Sequence, residues 1–192
     1  MKIGAVLLAA GKSERFGSNK LLADWGGRPL VCRALEAVGA VSARKACVVT
    51  GCDAVAALAQ TYGFDVIVNR DAHLGQAHSI HLGVQAMMEM DAVLLLVGDQ
   101  PGLTGESLAR LIGDFRISGK GIACLFDETH MGNPAVFSRA YFPMLLALRG
   151  DRGAKGILRE YADDLLTVAC AYPLELADAD TPQALESIRR RV

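Results

Sequence analysis

Basic charge is not in excess in this sequence: 20 Lys and Arg stand against 21 Asp and Glu, for a net charge of −1. Neutralising a phosphate backbone needs a basic face, so nucleic acid is not expected as a main partner. No apolar stretch approaches the roughly 18 residues needed to cross a bilayer. The densest, Val93 to Val97 after Ala92, falls far short, and no membrane partner is expected. The five cysteines (Cys32, Cys47, Cys52, Cys124, Cys170) are odd in number, scattered, and form no Cys-x-x-Cys. Neither a disulfide framework nor a structural zinc site is signalled, and reduced thiols in a cytoplasmic protein are expected. Repeats, low-complexity tracts and Pro/Gly-rich linkers are also missing, so residues 1–192 read as one domain. Met1-Lys2 followed by apolar Ile3 to Ala10 imitates a signal peptide, but this short region runs directly into Gly11-Lys12-Ser13-Glu14-Arg15. A buried first strand fits it better.

With 52% hydrophobic residues over 192 positions the chain is long enough to bury a substantial core. Short β-like runs alternate with helical periodicity. Strands are expected at Ile3–Ala9, Ala46–Val49, Val66–Val68 and Val93–Val97, and helices at Leu30–Val38, Ala54–Tyr62, Ser79–Met90 and Ser107–Phe115. Several of these strands are apolar throughout, as parallel strands covered on both faces are. Beyond Gly121 the pattern loosens into Ile122–Leu125, Ala135–Phe137, helices near Tyr141–Leu148 and Ala154–Glu160, a strand at Leu165–Ala169 and a helix after Pro182. The expected fold is a three-layer, Rossmann-like α/β domain with a mostly parallel sheet and an antiparallel edge strand.

Chemistry concentrates in three segments. The first is Leu8-Ala9-Ala10-Gly11-Lys12-Ser13-Glu14-Arg15-Phe16-Gly17-Ser18-Asn19-Lys20, directly after the first strand. A Walker loop needs four residues between its glycines and Lys beside the second. Here five intervene and Lys20 comes three residues later. A G-x-G-x-x-G fingerprint also fails, because Ser13 follows Lys12 where the second Gly should stand. Small residues at the carboxyl end of a parallel strand still let backbone N–H groups approach an anion, and Arg15 and Lys20 add two cations there. An ordinary polar loop is the alternative.

The second segment, Val93 to Pro101, delivers Asp99 at the end of a buried strand, beside Gly98. A carboxylate next to phosphates is useful mainly as a Mg²⁺ ligand; otherwise it caps the turn before Pro101. In the third, Ala177-Asp178-Ala179-Asp180-Thr181-Pro182, either Asp180 or Thr181 caps a helix whose first turn holds Pro182. Asp178 is left over. Lesser candidates are His73, His78 and His81, read as solvated or core-edge histidines rather than a zinc site. Ser79 either donates to a ligand or caps its helix, and Asp151 and Lys155 have i,i+4 spacing.

Together these segments resemble the MobA-like nucleotidyltransferases, most closely their molybdenum cofactor cytidylyltransferase branch. The first-loop pattern LAAG-x-S-x-R-(M/F)-G-x-x-K matches Leu8 to Lys20 at each fixed position, and similar segments recur in order at Gly75–Gly83, Gly98–Pro101, Gly132–Pro134, Leu148–Lys155 and Asp178–Pro182. Departures fall at His78, His81, Asn133 and Gln183. The resemblance implies a GT-A-like fold and transfer of CMP from CTP to the terminal phosphate of molybdopterin cofactor, with release of pyrophosphate. It implies that Leu8, Ala9, Ala10, Gly11, Ser13, Ser79 and Gly98 line the nucleotide, that Arg15 and Lys20 hold its triphosphate, and that Asp99 and Asp180 ligate Mg²⁺. It further implies a molybdenum enzyme or maturation factor as partner. A guanylyl- or sugar-phosphate nucleotidyltransferase, or a nonenzymatic delivery protein for nucleotide or cofactor, are the rival readings.

Overall fold

The computed structural model describes residues 1–11, 13, 16–127 and 130–191. Strand β1 (Ile3–Leu8) is followed by a small ribbon of β2 (Asp24–Trp25) and β3 (Arg28–Pro29), then α1 (Val31–Gly39), β4 (Lys45–Thr50), α2 (Asp53–Thr61), β5 (Asp65–Val68), α3 (Gln76–Gln85) and β6 (Ala92–Val97). The second half runs α4 (Gly105–Ser118), β7 (Ile122–Phe126), β8 (Met131–Ser138), α5 (Phe142–Ala147), α6 (Lys155–Glu160), β9 (Leu165–Ala169) and α7 (Pro182–Arg189). The seven-stranded sheet has the order β5-β4-β1-β6-β8-β7-β9.

Each strand side chain faces one of two helical layers, which is why the central strands are apolar throughout. In β1, Ile3, Ala5 and Leu7 join a core with Leu35 of α1, Val55 of α2 and Phe115 of α4. Val6 and Leu8 face the other way, onto Ile80 of α3, Phe142 of α5 and Leu158 of α6. Period-two alternation thus buries both faces of one strand, as in an α/β sheet with helices on both sides. Helix α3 lies close on β1 because Gly83 has no side chain: a Cβ there would fall 2.3 Å from Val6 Cγ1.

The sheet is mostly parallel, with β1 pairing in parallel to β4 on one side and β6 on the other. The antiparallel strand lies elsewhere than expected. It is β8, and it sits inside the sheet between β6 and β7, both of which it pairs antiparallel, while the edge is formed by β9 running parallel to β7. An apolar run carries no mark of its direction, and Ala135–Phe137 is buried on both sides as an internal strand must be. Pro134, which has no N–H to donate, coincides with a break in register between Cys124↔Ala135 and Leu125↔Gly132.

Helix α3 also differs from expectation, starting at Gln76 and ending at Gln85 rather than spanning Ser79–Met90. Gly75, with φ 93°, sets its start. The chain leaves the helix after Gln85, yet Met87 and Met90 stay buried over β1, so their apolar spacing extended the apparent helix.

The edge pair β7 and β9 is fastened at its start by Asp164. Its Oδ1 accepts from the Gly121 amide at 2.9 Å and its Oδ2 from the Tyr141 hydroxyl at 2.7 Å. The Tyr141 bond, then the Gly121 bond, hold this carboxyl below its ordinary value of 3.8. A depressed pKa contributes stability above the ordinary value, and that contribution is lost as pH falls through the depressed one. Asp164→Ala should therefore cost about 1–2 kcal/mol at neutral pH, and urea unfolding should show the gap between native protein and variant closing in acid. A gap that stays constant with pH would show that the charge is not the cause.

Candidate active site

Parallel pairing sets β1 and β6 side by side with their carboxyl ends level, Leu8 opposite Val97. Chain connections leave β1 and β6 in opposite directions across the sheet, and this is the point where open α/β sheets form a crevice. The loop after β1 is tied down at its base: the Ala9 amide donates to Val49 O at 2.8 Å, the Thr50 hydroxyl to Ala9 O at 3.0 Å, and the Gly98 amide to Leu8 O at 3.2 Å. The resulting cavity, of about 380 Å³, is lined by Leu8, Ala9, Ala10, Gly11, Ser13, Lys20, Ser79, Gly98, Asp99 and Asp180. These are the expected site residues with one exception, Arg15, which lies outside the described residues.

At the cavity floor Lys20 Nζ stands 2.6 Å from Asp99 Oδ2 and 2.7 Å from Asp180 Oδ1. Partial burial works against the Lys20 charge, but the Asp99 charge and the hydrogen bonds to Asp180 and Asp99 outweigh it and raise the pKa above 10.5. Ser13, held at φ 52°, turns the loop back so that its hydroxyl accepts from the Lys20 amide at 3.2 Å. Asp99 does not cap the turn before Pro101 with its side chain: Oδ2 is spent on Lys20, and Oδ1 is buried without a hydrogen-bond partner among the described residues. Two convergent carboxylates, one with a spare buried oxygen, suit a hard divalent cation that takes its other ligands from water and phosphate.

Thr181, not Asp180, caps α7, its side chain accepting from the Ala184 amide at 3.1 Å. That leaves Asp180 for Lys20. Asp178 accepts from Gln100 Nε2 at 3.1 Å, and desolvation together with the charges of Asp99 and Asp180 raises its pKa. Ser79 is the fourth residue of α3 and not its cap, which is Gly75. The histidines diverge: His78 turns to Asn69 and His81 to the Leu146 carbonyl. Among the described residues no three His, Cys, Asp or Glu converge as a metal-binding group. The cavity is also lined by Gln76 and Asp151, which lie in the family-like segments Gly75–Gly83 and Leu148–Lys155 but are given no site role by the sequence. They come together because Gly75 and Gly150 pack backbone to backbone, where a Cβ on Gly75 would fall 2.3 Å from the Gly150 carbonyl carbon.

The sequence matches the family described as the MobA-like NTP transferase domain over residues 5–165. The chain belongs to that family and is a nucleotidyltransferase of MobA-like type. Among curated relatives, the purine catabolism protein PucB of Bacillus subtilis (strain 168) is 30% identical, over 96% of this chain and 95% of that protein. A Pyrococcus horikoshii protein named "Probable molybdenum cofactor guanylyltransferase" is 31% identical over 81% of this chain and 78% of that protein. Among solved structures, the Mycobacterium sp. strain JC1 homologue of Mycobacterium tuberculosis Rv0371c superposes with a TM-score of 0.86 at 27% identity, covering 98% of this chain and 96% of that one.

Glu175 holds the segment that carries Asp178 and Asp180, and nothing in the sequence marked it out. Its side chain is buried and accepts from the Ser107 hydroxyl at 2.6 Å and from the amides of Ala171, Thr104 and Tyr172 at 2.9, 3.1 and 3.2 Å, as well as from the Thr104 hydroxyl. It thereby joins the start of α4 to the 171–176 turn, beyond which the Ala179 amide donates to Asp99 O at 2.9 Å. Glu175→Ala leaves several buried donors unmatched and should cost on the order of 3 kcal/mol, measured by urea unfolding. An unfolding midpoint equal to the native one would show that this knot is dispensable.

Proposed function

We propose that residues 1–192 form one nucleotidyltransferase domain that transfers CMP from CTP to the terminal phosphate of a molybdopterin-type cofactor and releases pyrophosphate, with Mg²⁺ as its metal. The observation that carries this reading is Lys20 held between Asp99 and Asp180 at the carboxyl ends of β1 and β6, at the floor of a cavity of about 380 Å³. Gly11 adds support. Among the described residues no atom lies within 4 Å of where its Cβ would stand, so their packing does not call for glycine there, whereas close approach of a ligand to the backbone does.

The acceptor phosphate is already anionic at neutral pH, so its oxygen attacks the α-phosphorus of CTP without an activating base. One P–O bond forms to the acceptor as the bond to the β-phosphate breaks, and charge accumulates on the leaving pyrophosphate. Lys20 faces that charge, with Arg15 as the second cation that the resemblance implies, and the loop amides of Ala10 and Gly11 orient the nucleotide. Asp99 and Asp180 would hold Mg²⁺, which when bound neutralises phosphate charge. Incubating the protein with molybdenum cofactor, Mg²⁺ and each of the four NTPs, and identifying products by mass, tests the reading. A CMP adduct with pyrophosphate supports it, a GMP or sugar-nucleotide product moves it to a related transferase, and nucleotide binding without pyrophosphate makes the protein a delivery module.

Lys20→Ala should lower turnover on the order of a hundredfold, as for loss of a preorganised charge stabiliser. Normal kcat in the folded variant would remove Lys20 from the chemistry. Ala10 takes space in the cavity lining where, on the family resemblance, the guanylyl-transferring relatives carry Gly, and a pyrimidine needs less room than a purine. Ala10→Gly should therefore raise kcat/KM for GTP relative to CTP by about 1–3 kcal/mol in transition-state terms. An unchanged ratio would place selectivity elsewhere.

A further inference from the structure

Ser79 reaches the cavity from the side opposite the β1 loop, and its partner is Asn69, a residue the proposed reaction does not use. Asn69 is buried at the end of β5 and held by its backbone, its amide donating to Thr50 O at 2.8 Å. Its own carbonyl stands where a Cβ on Gly51 would approach to 2.5 Å. The side chain is equally fixed. The Asp71 backbone N–H, which can only donate, lies 3.0 Å from one side-chain atom of Asn69, so that atom is the oxygen. His78 Nδ1 lies 3.0 Å from the same oxygen and must therefore carry its proton toward it. The other end of the amide is then the NH₂ group, and it donates to Ser79 Oγ at 2.9 Å. Among the described residues nothing accepts the Ser79 proton in return.

From this chain of donors we infer that Asn69 is a positioning residue that holds Ser79 as a hydrogen-bond donor into the cavity, so that the ligand group seated there is an acceptor, an oxyanion or carbonyl oxygen of the nucleotide. The inference rests on the proposed function for the identity of the ligand. A serine hydroxyl can ordinarily rotate to donate or accept. Here one lone pair is occupied by an amide that cannot flip without setting its NH₂ against the Asp71 N–H. The preorganised donor matches the oxygen-rich surface of a nucleoside triphosphate, whereas a ligand donor at the same point would find only the one remaining lone pair and leave the hydroxyl proton unmatched.

Asn69→Asp tests the polarity at nearly constant shape. The carboxylate still accepts from Asp71 and His78, but at its other oxygen it can only accept, so Ser79 would turn its proton back and present lone pairs to the ligand. Binding of CTP, GTP, ATP and UTP with Mg²⁺ is measured by calorimetry for the native protein, Asn69→Asp, Ser79→Ala and the double variant, with thermal unfolding of each. For whichever nucleotide the native protein binds, Ser79→Ala should weaken affinity about tenfold and Asn69→Asp at least as much. Asn69→Asp should have a smaller effect in the Ser79→Ala background than alone. In turnover, KM for the nucleotide should rise while kcat and KM for the acceptor hold. Equal effects of Asn69→Asp in both backgrounds overturn the inference, as does native affinity in Ser79→Ala, which leaves Asn69 in place and decides the matter even where Asn69→Asp fails to fold. Binding of GTP but not CTP overturns the proposed nucleotide and leaves this inference standing. Binding of none of the four removes both.

Discussion

The parallel pairing of β1 with β6 is the constraint from which the molecule follows. Two adjacent strands running the same way cannot be joined by a hairpin, so helices must carry the chain back, and those helices cover both faces of the sheet. That accounts for the two apolar cores that share β1 between them. The same pairing brings Leu8 and Val97 level, so the turns that follow them open next to each other. A crevice and a carboxylate beside it are consequences of strand direction before any catalytic group is chosen.

Lys20 illustrates how such a site is balanced. It stands among Asp99, Asp180 and Asp178, so the floor of the cavity gathers more negative than positive charge from its described residues. The Asp99 and Asp180 charges hold Lys20 above its ordinary pKa, and desolvation followed by the Asp99 charge raises that of Asp178. A cation entering such a site would meet prepared oxygen ligands, and a polyphosphate would meet Lys20 at close range. Apolar packing of comparable volume would be cheaper for folding alone.

Much of this was legible in the residues. The strands near the amino terminus announced themselves because burial on both faces demands unbroken apolar runs, and Leu8–Lys20 and Gly98–Asp99 stood out because small and charged residues followed such strands. The Thr181-Pro182 pair correctly marked a helix start. What was not legible depends on contacts between distant segments. Ala135–Phe137 reads the same whether its strand runs up or down, so an internal antiparallel strand could not be told from an edge. Glu175 looks like any acidic residue in a turn until Ser107 and Thr104, some seventy positions earlier, are seen around it. Asn69 likewise resembles a loop residue until the Asp71 amide identifies which of its side-chain atoms is the oxygen.

The bridge between Lys20 and Asp180 also orders events in time, because it spans 160 positions of the chain. During synthesis at about 5–20 residues per second, on the order of ten seconds separates the appearance of the lysine from that of its second carboxylate. Strands β5, β4, β1 and β6 and most of the cavity lining have been made by then, with Asp99 as the only one of the two carboxylates to have emerged. The nascent chain therefore passes through a stage in which the crevice has walls but only half of its anionic floor. Asp180 directly precedes the Thr181 cap of α7, which packs on the β2–β3 ribbon through Leu185, Ile188 and Trp25, so a competent pocket is also a record that the segment leading into α7 has been made and placed.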